Sequence, residues 1–194
     1  MSLLGNSYQR ITSKKIQERA QSAGAISAID LANSTGVSEH TSDILRQLQL
    51  GDSGLVNSVD EEMSRLKIAD ALNHIMKMLG KVSLFLRLTT NMMSLIFFSQ
   101  VNELMTATAP WSSSTDVQRV AEVHAVVLEV LRICGILLQP FIPSRASMLL
   151  DVLGIPPAQR TLANASLGSG AVGDITSGVR LFDALKDSRK ALGA

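Results

Sequence analysis

The chain has 194 residues, of which 46% are apolar and 18% are charged, so it is long and apolar enough to form a globular core and is not a disordered chain. Aromatic residues make up only 4%, and the core must therefore be built from Leu, Ile, Val, Met and Ala, which favours helices over sheets. The net charge of +1 gives no general basic character, so a nucleic-acid partner would need a local patch. A single cysteine, Cys134, excludes both an intrachain disulfide and a cysteine-based metal site.

The N-terminal sequence LLGNSYQRITSKKIQERAQ is predicted to form a first helix with a basic flank. Asn6 and Arg10 are four residues apart and therefore share a helix face. An amide beside a guanidinium can read the edges of nucleic-acid bases, because the amide both donates and accepts and the guanidinium offers several donors. The alternative is an ordinary solvated helix face.

The middle of the chain predicts a loop or weak helix over 20–36 and a short helix over 40–50, which the sequence GDSG ends. Apolar residues then recur at steps of three and four from Val59 to Leu79, which predicts one amphipathic helix. Its acidic residues at 60–62 would lie in the first turn, where the helix dipole favours negative charge.

The C-terminal half contains the clearest helix, which begins after a capping-box pattern of Thr115 with Gln118 and ends at Pro140. Its second half is apolar on every side, which indicates the central helix of a bundle. A further helix is predicted over 144–153. The Gly/Ser-rich residues 156–178 are predicted to form a loop, and VRLFDAL to close the domain as a short strand or docked segment. These patterns predict an all-α helix bundle over 1–155, with 156–194 as loop and closing segment.

The sequence GSGAVG at 168–173 matches the G-x-G-x-x-G pattern of dinucleotide-binding proteins. That chemistry requires a strand before the glycines and a helix after them, so that the pyrophosphate meets a helix N-terminus. The flanking TLANASL and DITSG predict neither element. The pattern therefore indicates a flexible loop.

The sequence VSLFLRLTTNMMSLIFFSQ, Val82–Gln100, interrupts the helical pattern that would otherwise run on toward residue 111. We interpret it as an insert and hypothesise an in-frame retained intron, because Val-Ser can be encoded by GTAAGT and Gln by CAG. The rival interpretation is a membrane span of roughly 20 residues. A central Arg87 would cost such a span ~2.5–3.5 kcal/mol, which disfavours membrane association.

The only tryptophan, Trp111, follows Ala-Pro at a junction between predicted helices. A large ring at such a place can be a hydrophobic staple against a neighbouring element. It can equally be a stacking platform for an unstacked base in a single-stranded RNA loop.

Three separated stretches together resemble the anticodon-binding helical domain of methionyl-tRNA synthetases. Their sequences are most similar to those of fungal mitochondrial members. They are LGNSYQRITSKKI, VNELMTATAPW and LRICGILLQPFIPSRASMLLDVLGI. The resemblance implies a bundle of the class I aminoacyl-tRNA synthetase anticodon-binding type. It also implies that Trp111 stacks on a base of the CAU anticodon, while Asn6 and Arg10 bind base edges. Lys14, Lys15 and Arg19 are candidate phosphate contacts, with a solvated face as the alternative.

The family's catalytic motifs, H-I-G-H and K-M-S-K-S, are absent from this sequence. The resemblance therefore implies a C-terminal piece of a methionine–tRNA ligase that binds tRNA(Met) and is inactive alone. ATP and methionine would bind the missing catalytic domain, and no metal or other cofactor is expected here. The implied compartment is the mitochondrial matrix, with the cytoplasm as alternative. A stand-alone tRNA-binding or assembly module and a helical interaction protein without enzymatic activity are the competing functions.

Overall fold

The computed structural model describes residues 11–24, 26–34, 37, 39–49, 54–83, 112, 115–170, 172–179 and 181. Seven α-helices lie within these ranges: α1 Lys14–Ser22, α2 Ala28–Ala32, α3 Glu39–Gln49, α4 Leu55–Ser64, α5 Ile68–Ser83, α6 Val117–Leu137 and α7 Pro143–Val152. The described ranges contain no strand. The predicted all-α class is therefore confirmed.

Helix α6 is the centre of the bundle, as its all-round apolar second half predicts. Helices α1, α2, α3, α5 and α7 all contact it. From Val126 to Leu137 every residue is buried, including Cys134, whose thiol pKa is raised by burial. Aliphatic burial of this extent stabilises the fold by ~1.5–3 kcal/mol for each large side chain, before conformational entropy is counted.

The first predicted helix is interrupted. Ile11 is helical, but Thr12 and Ser13 form a turn, and α1 begins at Lys14 with Ser13 in an extended conformation as its N-cap. A continuous helix through this region is therefore wrong. Because of the break, the basic residues at 14, 15 and 19 lie on a different helical segment from Ile11.

The predicted helix over 59–79 is also divided, into the hairpin of α4 and α5. Its turn contains Leu66 in the left-handed region with φ of 59°. The acidic residues at 60–62 consequently lie in the second half of α4 and not in a first turn. Glu61 instead pairs with Arg65 and Glu62 with Lys67, at 2.7 and 3.5 Å.

The predictions for α3, α6 and α7 are confirmed to within a few residues. The N-cap of α6 is Asp116, one residue after the predicted Thr115, and the Asp116 side chain makes no capping hydrogen bond. The predicted loop or weak helix over 20–36 contains the short helix α2. None of the helices in the described ranges combines the length and apolarity needed to cross a membrane. All but the first two residues of the Val82–Gln100 insert lie outside the described residues.

The segment after α7 packs on the bundle through two 3₁₀ turns, Pro157–Gln159 and Leu162–Asn164, followed by irregular chain. Leu181, within the predicted VRLFDAL segment, is fully buried. Of the two predicted alternatives for that segment, this position agrees with a docked segment. The chain from 182 onward lies outside the described residues.

Candidate functional site

Asn6, Arg10 and Trp111, which sequence analysis predicts to bind the anticodon, lie outside the described residues. The structure does describe the residues that follow them in the chain. Ile11 directly follows Arg10, and Ser112 directly follows Trp111. The structure therefore shows how the chain that follows Arg10 and Trp111 is held.

The chain after Arg10 is anchored in the core. Ile11 and Thr12 are both fully buried. The carbonyl of Thr12 accepts a hydrogen bond of 2.8 Å from Nε2 of Gln17, on the first turns of α1. Buried backbone carbonyls require such partners, and Gln17 provides one at the break between Ile11 and α1.

The chain after Trp111 is anchored to the same helix by Arg19. The guanidinium donates from Nη1 to the carbonyl of Ser112 and from Nη2 to the carbonyl of Thr115, both at 2.7 Å. The Ser112 carbonyl also accepts from the Thr115 N–H at 3.2 Å, and we refer to these two hydrogen-bonded residues as the Ser112–Thr115 turn. Hydrogen bonds from a charged donor are stronger than neutral ones.

The three candidate phosphate contacts therefore have different surroundings. Lys14 and Lys15 are exposed on α1. Arg19 is half-buried, and its two terminal nitrogens bind backbone carbonyls. Sequence reasoning missed this role of Arg19 because its partners are 93 and 96 residues away, beyond any local pattern.

The described residues of GSGAVG form a loop, as predicted, and its glycines also have packing roles. Gly168 has φ of 74° and donates its N–H to Oε1 of Glu129 at 2.9 Å. Gly173 lies against Gly154, and a Cβ at Gly173 would be 2.8 Å from the Gly154 carbonyl. No helix or strand flanks the pattern in the described chain, so its surroundings offer no phosphate cradle.

A buried ion pair holds this glycine segment on α6. Arg132 binds both carboxylate oxygens of Glu129 at 2.8 Å, and the two residues are 1% and 5% exposed. Arg132 also donates to the carbonyls of Asn164 and Ser166. Each charge therefore has several hydrogen-bond partners, as burial of an ion pair requires.

A half-open cavity of about 550 Å³ lies between α2, α6 and residues 168–175. Glu129 is its one charged lining residue in the described chain, and both oxygens of that carboxylate are taken by Arg132 and Gly168. Within the described ranges, no group of three or more His, Cys, Asp and Glu could hold a metal ion. The charged group of this cavity therefore serves to hold the glycine segment on α6.

Comparison with known proteins shows that part of this chain is similar to one family. Residues 84–167 match the family described as the anticodon binding domain of methionyl tRNA ligase. The probable mitochondrial methionine–tRNA ligase of Schizosaccharomyces pombe is 45% identical over 67 residues, which are 34% of this chain and 12% of that protein. The methionine–tRNA ligase of Rhizobium meliloti is 33% identical over 124 residues, which are 63% of this chain and 23% of that protein.

The matched range begins at residue 84 and includes most of the segment that sequence analysis interprets as an insert. The retained-intron hypothesis stays a prediction, which sequencing of the mature transcript tests. A spliced-only message would support it, and a uniformly unspliced message would refute it.

The fold itself is similar to that of a solved protein. The free-state crystal structure of Mycobacterium tuberculosis methionyl-tRNA synthetase superposes with a TM-score of 0.54 and 24% identity. The superposition covers 89% of this chain and 33% of that one. This chain spans only about an eighth to a quarter of the length of the ligases compared above. Residues 84–167 are thus similar in sequence to the anticodon-binding domain of methionyl-tRNA ligases, and the helical fold is similar to that of a solved methionyl-tRNA synthetase.

Proposed function

We propose that this chain recognises the CAU anticodon of tRNA(Met), as the anticodon-binding part of a methionine–tRNA ligase. Asn6 and Arg10 bind base edges, and Trp111 stacks on an anticodon base. The chemistry of aminoacylation belongs to a catalytic domain with the H-I-G-H and K-M-S-K-S motifs, which this sequence lacks. ATP and methionine bind that domain.

One observation carries this proposal beyond the family match. Thr12, two residues after Arg10, and Ser112, directly after Trp111, are both bound to α1, through Gln17 and Arg19 respectively. Two segments almost a hundred residues apart are thus attached to one short helix. A site that reads several adjacent bases requires such convergence, because each base needs its own partner in a fixed position.

The first test is a titration of the 194-residue chain with two labelled stem-loops, one with a CAU loop and one with a changed loop. RNA anisotropy gives both affinities, and the fluorescence of the single tryptophan reports on Trp111 directly. We expect CAU to bind more tightly and to quench Trp111. Equal affinity for both loops, from a chain shown to be folded, would contradict the proposal and favour an interaction protein.

Variants separate base recognition from charge. Asn6→Ala and Arg10→Ala are each expected to weaken CAU binding by about 1–3 kcal/mol and to reduce the preference for CAU. Lys14→Gln and Lys15→Gln are expected to weaken the binding of both stem-loops equally, because phosphate contacts carry no sequence information. They are also expected to make the affinity less dependent on salt concentration. Arg46→Gln, on an exposed ion pair of α3, is the matched control. It is expected to change neither the affinity for the two stem-loops nor the preference for CAU.

We also propose the mitochondrial matrix as the compartment. The proposal rests on relatives that are named as mitochondrial, one from Schizosaccharomyces pombe and one from Neurospora crassa. Protease protection of the endogenous protein in purified mitochondria tests it. Detection only in the cytosolic fraction would refute it.

A further inference from the structure

We propose that Arg19 is a positioning residue for anticodon recognition, which sets where the chain emerges after Trp111. Arg19 does not contact RNA in this proposal. It acts by fixing the turn formed by Ser112–Thr115 on α1. The inference rests on the proposed function and adds a residue to it that neither the family match nor the motifs identify.

The geometry of the guanidinium suits this role. Its two terminal nitrogens lie in one rigid plane, and each binds a different carbonyl of the same turn at 2.7 Å. Two contacts from a planar group fix the orientation of the turn as well as its distance from α1. A lysine ammonium at this place would act as a flexible point charge and could not hold both carbonyls in the same way.

Helix α1 is a firm support for these contacts. It packs on the central helix α6 through the buried Ile16 and Ala20. The same helix holds the Thr12 carbonyl through Gln17, so the chain after Arg10 and the chain after Trp111 share one support. A shared support keeps the two segments in register, which binding of adjacent bases at different residues requires.

The alternative is that Arg19 binds a phosphate, as sequence analysis suggests. Both terminal nitrogens already donate to carbonyls, so a phosphate would have to bind the remaining N–H groups of a guanidinium that these two short bonds hold in place. The two roles differ in one measurable way. A phosphate contact contributes equally to every loop sequence, whereas a positioning contact contributes to discrimination between loops.

The first experiment uses the free chain. Arg19→Gln, Arg19→Lys and the control Arg46→Gln are compared by time-resolved anisotropy of the single tryptophan, after circular dichroism has shown that each is folded. We expect faster local motion of Trp111 in Arg19→Gln, an intermediate effect in Arg19→Lys and no effect in Arg46→Gln. An unchanged anisotropy decay in the folded Arg19 variants would overturn the proposal. If Arg19→Gln does not fold, Arg19→Lys decides.

The second experiment measures both stem-loops with the same variants. We expect the ratio of CAU affinity to changed-loop affinity to fall about tenfold in Arg19→Gln, within the range that loss of one stacked base gives. An equal loss on both loops would overturn the positioning role and identify a phosphate contact. A parent chain without any CAU preference would instead refute the proposed function, while the tryptophan anisotropy would still decide whether Arg19 anchors the turn.

Discussion

His124 lies on the central helix α6 with its imidazole mostly buried. Its Nε2 has no hydrogen-bond partner among the described residues. Burial disfavours the charged imidazolium and lowers the pKa of His124 to about 4. The side chain is therefore neutral in the folded protein at neutral pH.

This burial predicts a loss of stability in mild acid. The unfolded chain has an ordinary histidine pKa near 6.5 and takes up the proton first, so the free energy of unfolding falls as the pH drops from about 6.5 toward 4. Between pH 7 and pH 5, His124 is expected to lower the free energy of unfolding by about 2 kcal/mol. Urea unfolding of the parent and of His124→Gln at both pH values measures it.

The difference between the two proteins removes the contributions of carboxylates and of the other histidines, which they share. We expect the free energy of unfolding to fall by about 2 kcal/mol less in His124→Gln than in the parent between pH 7 and pH 5. A pH dependence that is the same in both proteins would contradict the prediction.

At the scale of elements, the α4–α5 hairpin shows where a pattern of apolar spacing misleads. The spacing from Val59 to Leu79 continues through the turn, and no glycine or proline marks it. Leu66 instead adopts the left-handed conformation that a helix end usually gives to glycine, with 83% of its surface exposed. The Lys67 N–H closes the turn on the Glu62 carbonyl at 2.8 Å.

Leu66→Gly is therefore expected to stabilise the protein, by about 0.5–1 kcal/mol. The strain of a Cβ at positive φ is removed, and little buried surface is lost because the leucine is exposed. Thermal and urea unfolding measure the change. Leu66→Ala is the control, since it shortens the side chain and keeps the Cβ; a gain in Leu66→Ala equal to that in Leu66→Gly would show that strain is not the cause.

At the scale of the whole molecule, the buried pair of Arg132 and Glu129 joins the central helix to the segment after α7. Arg132 contacts the carbonyls of Asn164 and Ser166, and Glu129 accepts the N–H of Gly168. Removing one partner leaves a buried charge without compensation, which costs more than the pair contributes.

We expect Arg132→Met to lower the free energy of unfolding by about 3–5 kcal/mol. Hydrogen exchange at the Gly168 amide should also become faster, because the carboxylate that binds it loses its support. Arg46→Met, on an exposed pair, is the control and should cost no more than about 1 kcal/mol. A cost for Arg132→Met as small as that of the control would refute a joining role.

The sequence by itself determined the helical class, the central position of α6 and the limits of α3, α6 and α7. Those features follow from composition and from spacing along one helix, which are local properties of the chain. The resemblance pointed correctly to the methionyl-tRNA ligase family, while the anticodon roles of Asn6, Arg10 and Trp111 stay predictions.

Tertiary structure alone decided the break before Lys14, the turn at Leu66, the packing of the glycines and the anchoring role of Arg19. Each depends on partners that are remote in sequence or on a backbone strain that packing elsewhere compensates. Arg19 and Lys15 are basic residues on one short helix, and no local pattern distinguishes them. Arg19 is half-buried because it binds the carbonyls of Ser112 and Thr115, whereas Lys15 is exposed.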